Sequence, residues 1–302
     1  MLHAARELAL FQDEPPQLPS GSFGKSGRLR LGLERRGDRT VLSTLHRRAP
    51  LIVQQALYWD EEMPGLPCIC MISNAGGILQ GDRNVVEIAL AEAAQAHVTT
   101  QSATRIHEMD ANYATQDQIF TLEAGAYLEF IPHPIIPHRH SRFAQRTRVS
   151  IDPTATLLYS EVLTGGRKHY AEGEAFAYDV FSSHVSAARP DGSSLFTERF
   201  VVEPARYDVS RLGLMGDFHV FGNLIVLTPT AHLEPLLAAI APRFDAEAGL
   251  AMGASRLPRD AGLAYKVLGH EAAPVVAAIR QVWDLVRRQV VGAAVPERFL
   301  WG

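Results

Sequence analysis

The chain has 302 residues, with 47% hydrophobic and 21% charged residues and a formal net charge of −4. This composition supports a substantial buried core and excludes an intrinsically disordered protein. The small negative charge argues against nucleic acid or an anionic membrane as the partner. No apolar run approaches the roughly 18 residues that a membrane-spanning helix needs.

The N-terminal stretch carries acids and prolines where a secretory signal needs an apolar segment. We therefore predict a loosely ordered tail over residues 1–26, followed by a single β-rich domain over residues 27–302. Cys68 and Cys70 are the only two cysteines, and a disulfide across one residue would be strained. We interpret them as small buried side chains in a reducing cytoplasm, although two thiols on one strand face also suit a soft metal such as Cu(I).

Strand-like segments fill most of the domain. "RLRLGLER" (28–35) alternates leucines with charged residues, which predicts a strand with one face in water. Gly37 and Asp38 then predict a hairpin turn toward "TVLSTL" (40–45). Because no amphipathic helical pattern interrupts the later strand-like runs, the sequence favours an all-β body over alternating β–α units.

A faint internal repeat occurs at spacings of 32 and then 29 residues. The repeated positions, unit by unit, are Leu90, Ala94 and Ala96; Leu122, Ala126 and Leu128; and Ile151, Ala155 and Leu157. A strand–turn–strand unit of about this length is typical of stacked β-solenoid coils or of a pseudo-repeat sandwich.

Helical spacing of apolar residues appears only toward the C-terminus. "AHLEPLLAAIAPRF" (231–244) predicts one helix whose apolar stripe ends at Phe244, and "EAAPVVAAIRQVWDLVRRQVVG" (271–292) predicts a second. Arg287 and Arg288 are assigned to the polar side of the second helix. The predicted fold class is therefore mainly β: a β-helical or solenoid-like body of many short strands with two C-terminal amphipathic helices packed on it.

The sequence contains no catalytic motif that withstands inspection. "NAGGILQGDRN" (74–84) lacks the residues of a phosphate-binding or dinucleotide-binding loop, and "IHEMD" (106–110) lacks the second histidine of a zinc protease. The alternative that stays open is a glycan hydrolase that uses paired carboxylates such as Glu129 and Glu161.

"HPIIPHRH" (133–140) places three histidines within eight positions. His133, His138 and His140 are candidate ligands of an accessory metal site, because imidazole is a common metal ligand. The competing interpretation is a proline-rich loop between strands.

Several stretches together resemble the UreD (UreH) family of urease accessory proteins, in one order along the chain. They are residues 27–58, 74–90, 96–107, 122–151, 157–176, 196–200 and 283–301. The resemblance implies a β-helical body and a non-enzymatic maturation factor without a tightly bound cofactor. Such a factor binds apo-urease and works with UreF-like and UreG-like accessory proteins while nickel is inserted.

The resemblance also implies an internal passage through which nickel travels transiently. Oxygen ligands along a passage must bind a cation weakly enough to release it. The family-like positions that bear such groups are Asp82, Thr104, Glu161, Glu174 and Glu198. The competing interpretation is that Asp82 caps a turn and that Glu161 pairs with Arg167 or Lys168.

Partner-binding residues are predicted near the C-terminal helix and the chain end, at Arg287, Arg288 and Trp301. A second basic stretch contains Arg28, Arg30, Arg35, Arg36, Arg39, Arg47 and Arg48. It is either a solvated face or a surface that steers an acidic partner by raising the association rate. A two-fold complex would make a dimer of the chain plausible, and a divergent paralogue that serves another metal pathway is the third hypothesis.

Overall fold

The computed structural model of the protein describes residues 5–13 and 26–297. The strands in chain order are β1 (Arg28–Arg36), β2 (Arg39–Arg48), β3 (Leu51–Ile52), β4 (Ala56–Leu57), β5 (Cys68–Ser73), β6 (Arg83–Leu90), β7 (Gln95–Thr100), β8 (Thr104–Ile106), β9 (Ala114–Leu122), β10 (Tyr127–Phe130), β11 (Ile135–Pro137), β12 (Arg142–Ile151), β13 (Thr156–Thr164), β14 (Gly166–Arg167), β15 (Glu174–Ala175), β16 (Val180–Ala188), β17 (Ser194–Val202), β18 (Val220–Leu227), β19 (Arg243–Asp245), β20 (Leu250–Arg256) and β21 (Gly262–Gly269). The helices are α1 (Thr230–Ala239) and α2 (Ala272–Val291), with short 3-10 helices at Arg6–Leu8 and Pro258–Asp260.

Two large sheets form the body. The seven-stranded sheet has the order β17-β16-β12-β9-β6-β1-β2, and the twelve-stranded sheet has the main order β19-β20-β21-β18-β13-β10-β7-β5-β3. β4, β8 and β11 pair at the side of the larger sheet, and β14 pairs only with β15. The mainly β fold class with two C-terminal helices is thus confirmed.

The internal repeat corresponds to stacked parallel coils. β6, β9 and β12 are successive parallel neighbours in the smaller sheet, and β7, β10 and β13 are successive parallel neighbours in the larger sheet. The repeated positions are direct register partners: Leu90 with Leu122, Leu122 with Ile151, Ala96 with Leu128, and Leu128 with Leu157. The predicted β-helical body is therefore confirmed at two of the three repeated positions of each unit, because the repeat length equals the length of one coil.

The hydrophobic core lies in two layers. Alternate residues of the coils, such as Leu31, Ile88 and Phe120, fill the space between the two sheets. The opposite face of the larger sheet packs against α1 and α2 through residues that include Leu224 and Trp283. This second layer explains why α2 is amphipathic: together with α1 it covers a sheet face that would otherwise expose apolar side chains.

The first helix is shorter than its apolar pattern predicts. α1 ends at Ala239, shortly before Pro242, which lacks the backbone N–H that a longer helix would need. Phe244 therefore lies in β19 and is exposed, so its assignment to the helical stripe was wrong. α2 ends where Gly292 adopts a left-handed conformation with φ of 71°.

Part of the N-terminal stretch packs against the body. Leu8 is fully buried and contacts the outer side of the smaller sheet together with Phe11. The boundaries of the predicted tail and domain remain a prediction. Within residues 5–13 and 26–297, no helix is both long and apolar enough to cross a lipid bilayer.

Candidate functional site: a polar cavity between the sheets

A cavity of about 200 Å³ lies between the two sheets, at the end of the core where polar side chains replace leucine and valine. β9 and β12 supply Gln116, Gln118 and Gln145 from one side, and β13 supplies Glu161 from the other. These residues occupy inward positions because side chains alternate across each strand. The cavity is thus formed by the coils themselves.

Glu161 is a buried carboxylate in this cavity. Its Oε2 atom accepts hydrogen bonds from Gln145 Nε2 at 2.6 Å, Ser183 Oγ at 3.0 Å and Tyr159 OH at 3.1 Å. Its Oε1 atom is buried and has no hydrogen-bond partner among the described residues. An unpaired buried oxygen is costly, so this atom is free to accept a bond from a ligand in the cavity.

Burial raises the pKa of Glu161 to about 7. Hydrogen bonds from Ser183 and Tyr159 oppose this change, and the nearby charge of Glu198 adds to it. At neutral pH the carboxyl group is therefore close to its midpoint of ionisation, with protonated and ionised forms both populated.

Glu198 lies outside the cavity lining but near Glu161, whose pKa its charge raises. Asn223 of β18 is the register partner of Glu161, and its Nδ2 atom donates to Glu198 Oε2 at 2.8 Å. Lys266 of β21 forms an ion pair with the same carboxylate. The fold thus brings two acids that are 37 residues apart in the sequence near each other, and the Asn223 amide binds Glu198 but makes no hydrogen bond to Glu161 in the described structure.

The other predicted passage residues divide into two groups. Thr104 of β8 lines the cavity. Asp82 is buried outside the lining and accepts a hydrogen bond from the backbone N–H of Leu79 at 2.9 Å, as the turn-cap interpretation expected. Glu174 is held by two hydrogen bonds of 2.7 Å from Arg167, which lower its pKa.

The alternative pairing of Glu161 with Arg167 or Lys168 is wrong. Arg167 pairs with Glu174, and Lys168 pairs with Glu271 at 2.5 Å. Glu161 receives its hydrogen bonds from neutral groups, so no ion pair blocks access to its carboxylate.

The three histidines of residues 133–140 face different partners. His133 lies at the cavity and its Nδ1 atom donates to the carbonyl of Thr100 at 2.8 Å. His138 packs edge-on against His107 with ring centroids 4.9 Å apart, whereas His140 is exposed and contacts Asp179.

Burial, together with the charges of Arg167 and His107, lowers the pKa of His138 to about 4. Among residues 5–13 and 26–297, no three His, Cys, Asp or Glu side chains are arranged to hold a metal ion. The histidines form no joint site in this structure, and an accessory metal role for them stays a prediction.

The two cysteines are free and buried on β5. Burial raises the pKa of Cys68 to about 12 and that of Cys70 to about 11. Because the thiolate is the form that binds soft metals, these values favour the interpretation of two small buried side chains.

A second polar cluster lies on the other face of the larger sheet, beneath α2. Arg287 has no exposed side-chain surface and donates to Glu129 at 2.7 and 2.9 Å and to Asp60 at 2.6 Å. Glu129 also contacts His97 Nδ1 at 3.0 Å and accepts a hydrogen bond from Tyr127 OH at 2.8 Å. Burial opposes ionisation of Glu129, but the charge of Arg287 and its hydrogen bonds outweigh this and lower the pKa to about 2.

This cluster corrects the assignment of Arg287. The residue does not face a partner in this structure, because it lies on the buried side of α2. Its position four residues after the buried Trp283 was the available signal, since residues i and i+4 share a helix face. Arg288 is exposed and pairs with Asp284, and Trp301 lies outside the described residues.

The paired-carboxylate hydrolase is not supported by this geometry. β10 and β13 are parallel neighbours in which Glu129 pairs with Leu158, not with Glu161. Glu129 points toward α2, whereas Glu161 points into the space between the sheets. Two carboxylates on opposite faces of one sheet cannot flank a common glycosidic bond.

Comparison with known proteins agrees with the family resemblance noted in the sequence. A family model described as UreD urease accessory protein matches residues 25–302. The chain is 68% identical over 301 residues to "Urease accessory protein UreD 2" of Brucella suis biovar 1, with 100% of both chains covered. It is 53% identical to "Urease accessory protein UreD" of Photorhabdus laumondii, with 98% of this chain and 92% of that protein covered. It is 51% identical to the protein of the same description from Yersinia enterocolitica, with 98% and 93% covered.

Proposed function

Because the chain belongs to the UreD family of urease accessory proteins, we propose that it is a non-enzymatic factor in urease maturation. In this proposal it acts in the cytoplasm, binds the urease apoprotein and works with UreF-like and UreG-like accessory proteins. Nickel is its cargo and is held only transiently.

We propose that the cavity between the sheets is part of the path of the metal ion. The observation that carries this proposal is the Oε1 atom of Glu161, a buried carboxylate oxygen without a partner in the described structure. A divalent cation prefers such an oxygen, and its binding displaces the proton that the raised pKa retains at neutral pH.

The chemistry of the lining suits transfer better than storage. Neutral amide and hydroxyl groups surround the single carboxylate, including those of Gln145, Tyr159 and Ser183. Within the described residues Glu161 is the only carboxylate that lines the cavity, so a divalent cation there would be held less tightly than by several carboxylates. A cation at Glu161 would therefore be released readily, as a conduit requires.

The proposed path runs from Thr104 past Glu161 toward Glu198. Thr104 lines the cavity and contributes a hydroxyl group, and Glu198 lies outside the lining but close enough for its charge to act on Glu161. We leave Asp82 and Glu174 out of the path, because neither lines the cavity, and keep Glu198 because its charge acts on the carboxyl group of Glu161.

For partner binding, we retain the exposed side of α2. Arg288 is accessible there. The segment after Gly292 lies against α2, because the backbone N–H of Val295 donates a hydrogen bond to Asp284 at 2.8 Å. This surface is proposed to contact an accessory protein. A dimer of the chain within a two-fold complex remains part of the proposal.

The test is co-expression of the cognate urease subunits and the other accessory proteins with and without this chain. We expect nickel content and urease activity to depend on it, and the chain to co-purify with apo-urease. Full activation without the chain would overturn the proposed function.

The cavity is tested separately by Glu161→Gln, which keeps the size of the side chain and removes its charge. We expect at least a tenfold loss of nickel loading with unchanged co-purification. Glu174→Gln is the matched control, since it removes a carboxylate that does not line the cavity. Undiminished loading by Glu161→Gln would refute the path while leaving the maturation function intact.

A further inference from the structure

The outer face of the seven-stranded sheet, opposite the core, carries an excess of arginine. The first row of register partners across the sheet is Arg48, Arg28, Val85, Asp117, Arg146, His184 and Arg199. The second row is His46, Arg30, Glu87, Ile119, Arg148, Ser186 and Thr197. We call these two rows the basic face. Six arginines against two carboxylates give it a formal charge of +4, whereas the whole chain has −4.

The acids of the basic face neutralise only part of this charge. Asp117 is shared by Arg146 at 2.7 Å and Arg148 at 3.2 Å. Glu87 pairs with Arg28 at 3.0 Å. One carboxylate thus serves two guanidinium groups on β12, and half of the side-chain surface of Arg28 remains exposed.

The remaining positive charges lie at the β1–β2 side of the face. The side chains of Arg30 and Arg48 are exposed and have no ion pair or hydrogen bond among the described residues. Arg28 lies directly opposite Arg48. Like charges in directly opposed positions destabilise a strand pair, so this arrangement costs stability in the isolated chain.

The surface next to the basic face is flat. The third row consists of Thr44, Gly32, Ala89, Thr121, Ser150, Ala188 and Ser194. No side chain in this row is larger than threonine, and the row crosses all seven strands. A broad partner surface can therefore approach the sheet without meeting a protruding side chain.

The N-terminal segment shows how an acid docks on this sheet. Glu7 accepts a hydrogen bond from Ser182 and forms an ion pair with Arg199 at 2.6 Å, while the neighbouring Leu8 is buried. The carboxylate of Glu7 thus satisfies Arg199 at one end of the first row. The arginines farther along the rows have no such segment over them among the described residues.

We propose that the basic face docks an acidic surface of a protein partner in the urease maturation complex. This proposal rests on the proposed function for its choice of partner. Complementary charge raises the association rate of two proteins, by tenfold or more at low salt, and fixes their relative orientation. The flat third row then provides the contact area beside the charged rows.

The test is the double variant Arg30→Glu/Arg148→Glu. Its matched control is Arg211→Glu/Arg243→Glu, which changes the net charge equally at exposed sites away from the face. Association rates with the purified cognate urease apoprotein and with the UreF-like partner are measured at low and high salt. We expect the face variant to associate with one of them at least tenfold more slowly at low salt, with a smaller difference at high salt.

The outcomes separate the two proposals. Equal effects of the face variant and the control, or no effect of either, would overturn the docking proposal while the proposed function stands. If the wild-type chain binds neither partner, the proposed function fails, and labelled poly-L-glutamate at low salt becomes the probe. Binding of poly-L-glutamate by the wild type but not by the face variant would then support an acidic partner. Equal binding by the two would overturn the docking proposal. Salt-sensitive self-association lost only in the face variant would replace the partner with a second copy of the chain.

Discussion

Replacing Arg287 with methionine should destabilise the protein strongly. The substitution leaves Glu129 and Asp60 buried with no cation between them. Breaking a buried ion pair by removing one partner costs about 3–5 kcal/mol, a large part of the roughly 5–15 kcal/mol that stabilises a typical protein. Arg288→Met is the control in the same helix, and the loss of its exposed pair with Asp284 should lower the stability far less.

The same interaction should also make the stability depend on pH. The pKa of Glu129 is lowered from 4.5 to about 2 in the folded state, and this difference corresponds to about 3 kcal/mol. Since a lowered carboxyl pKa favours folding when the group is ionised, this stability is present above about pH 4.5 and is lost as the pH falls toward 2.

Urea denaturation of the wild type, Arg287→Met and Arg288→Met at pH 7 would measure how much each substitution lowers the free energy of unfolding. Adding Glu129→Gln to Arg287→Met should recover part of it, because the uncompensated charge is removed. If Arg287→Met lowers the free energy of unfolding by less than about 1 kcal/mol, and by no more than Arg288→Met does, the assignment of a buried ionic cluster is refuted.

Three further predictions concern other sites. Glu161→Gln should stabilise the protein by up to about 3 kcal/mol at pH 8 but not at pH 4, because the raised pKa makes ionisation of Glu161 oppose folding as the pH rises from about 4.5 to 7. Thermal unfolding at the two pH values checks this, and an equal change in melting temperature at both would contradict it. Leu8→Ala should release the N-terminal segment and speed its proteolysis and hydrogen exchange, with little change in exchange of β9 and β12; unchanged protection of residues 5–13 would count against the packing. Cys68 should react with a disulfide reagent at pH 8 only after unfolding, because burial raises its pKa to about 12; rapid labelling of the native chain would disprove this.

The coil architecture was predictable because its signal is local and repeated. Each unit brings Leu90, Leu122 or Ile151 to the same point of the coil, so the spacing of these residues reports the length of one turn around the body. The alternation in "RLRLGLER" likewise predicted which side of β1 faces the core.

The side-chain clusters were less predictable because their members are far apart in the chain. Arg287 and Glu129 are 158 residues apart, and their contact depends on where α2 crosses the larger sheet. Helical periodicity identifies the buried face of α2 but not the strand beneath it. The same reason explains why Glu161 and Glu198 were expected in one passage only through a family resemblance, and why Asn223 between them was missed.

The parallel register of β6, β9 and β12 has a consequence for assembly. A stack of similar coils offers at each end the same backbone groups that join its members, so it could grow by adding another chain. Here the stack is closed by antiparallel hairpins, β1 with β2 at one side and β16 with β17 at the other. The arginines of β2 make its free edge a poor template for a further strand. The hairpins therefore act as terminators of polymerisation, and a chain without β1 and β2 would present β6 as an open growth surface.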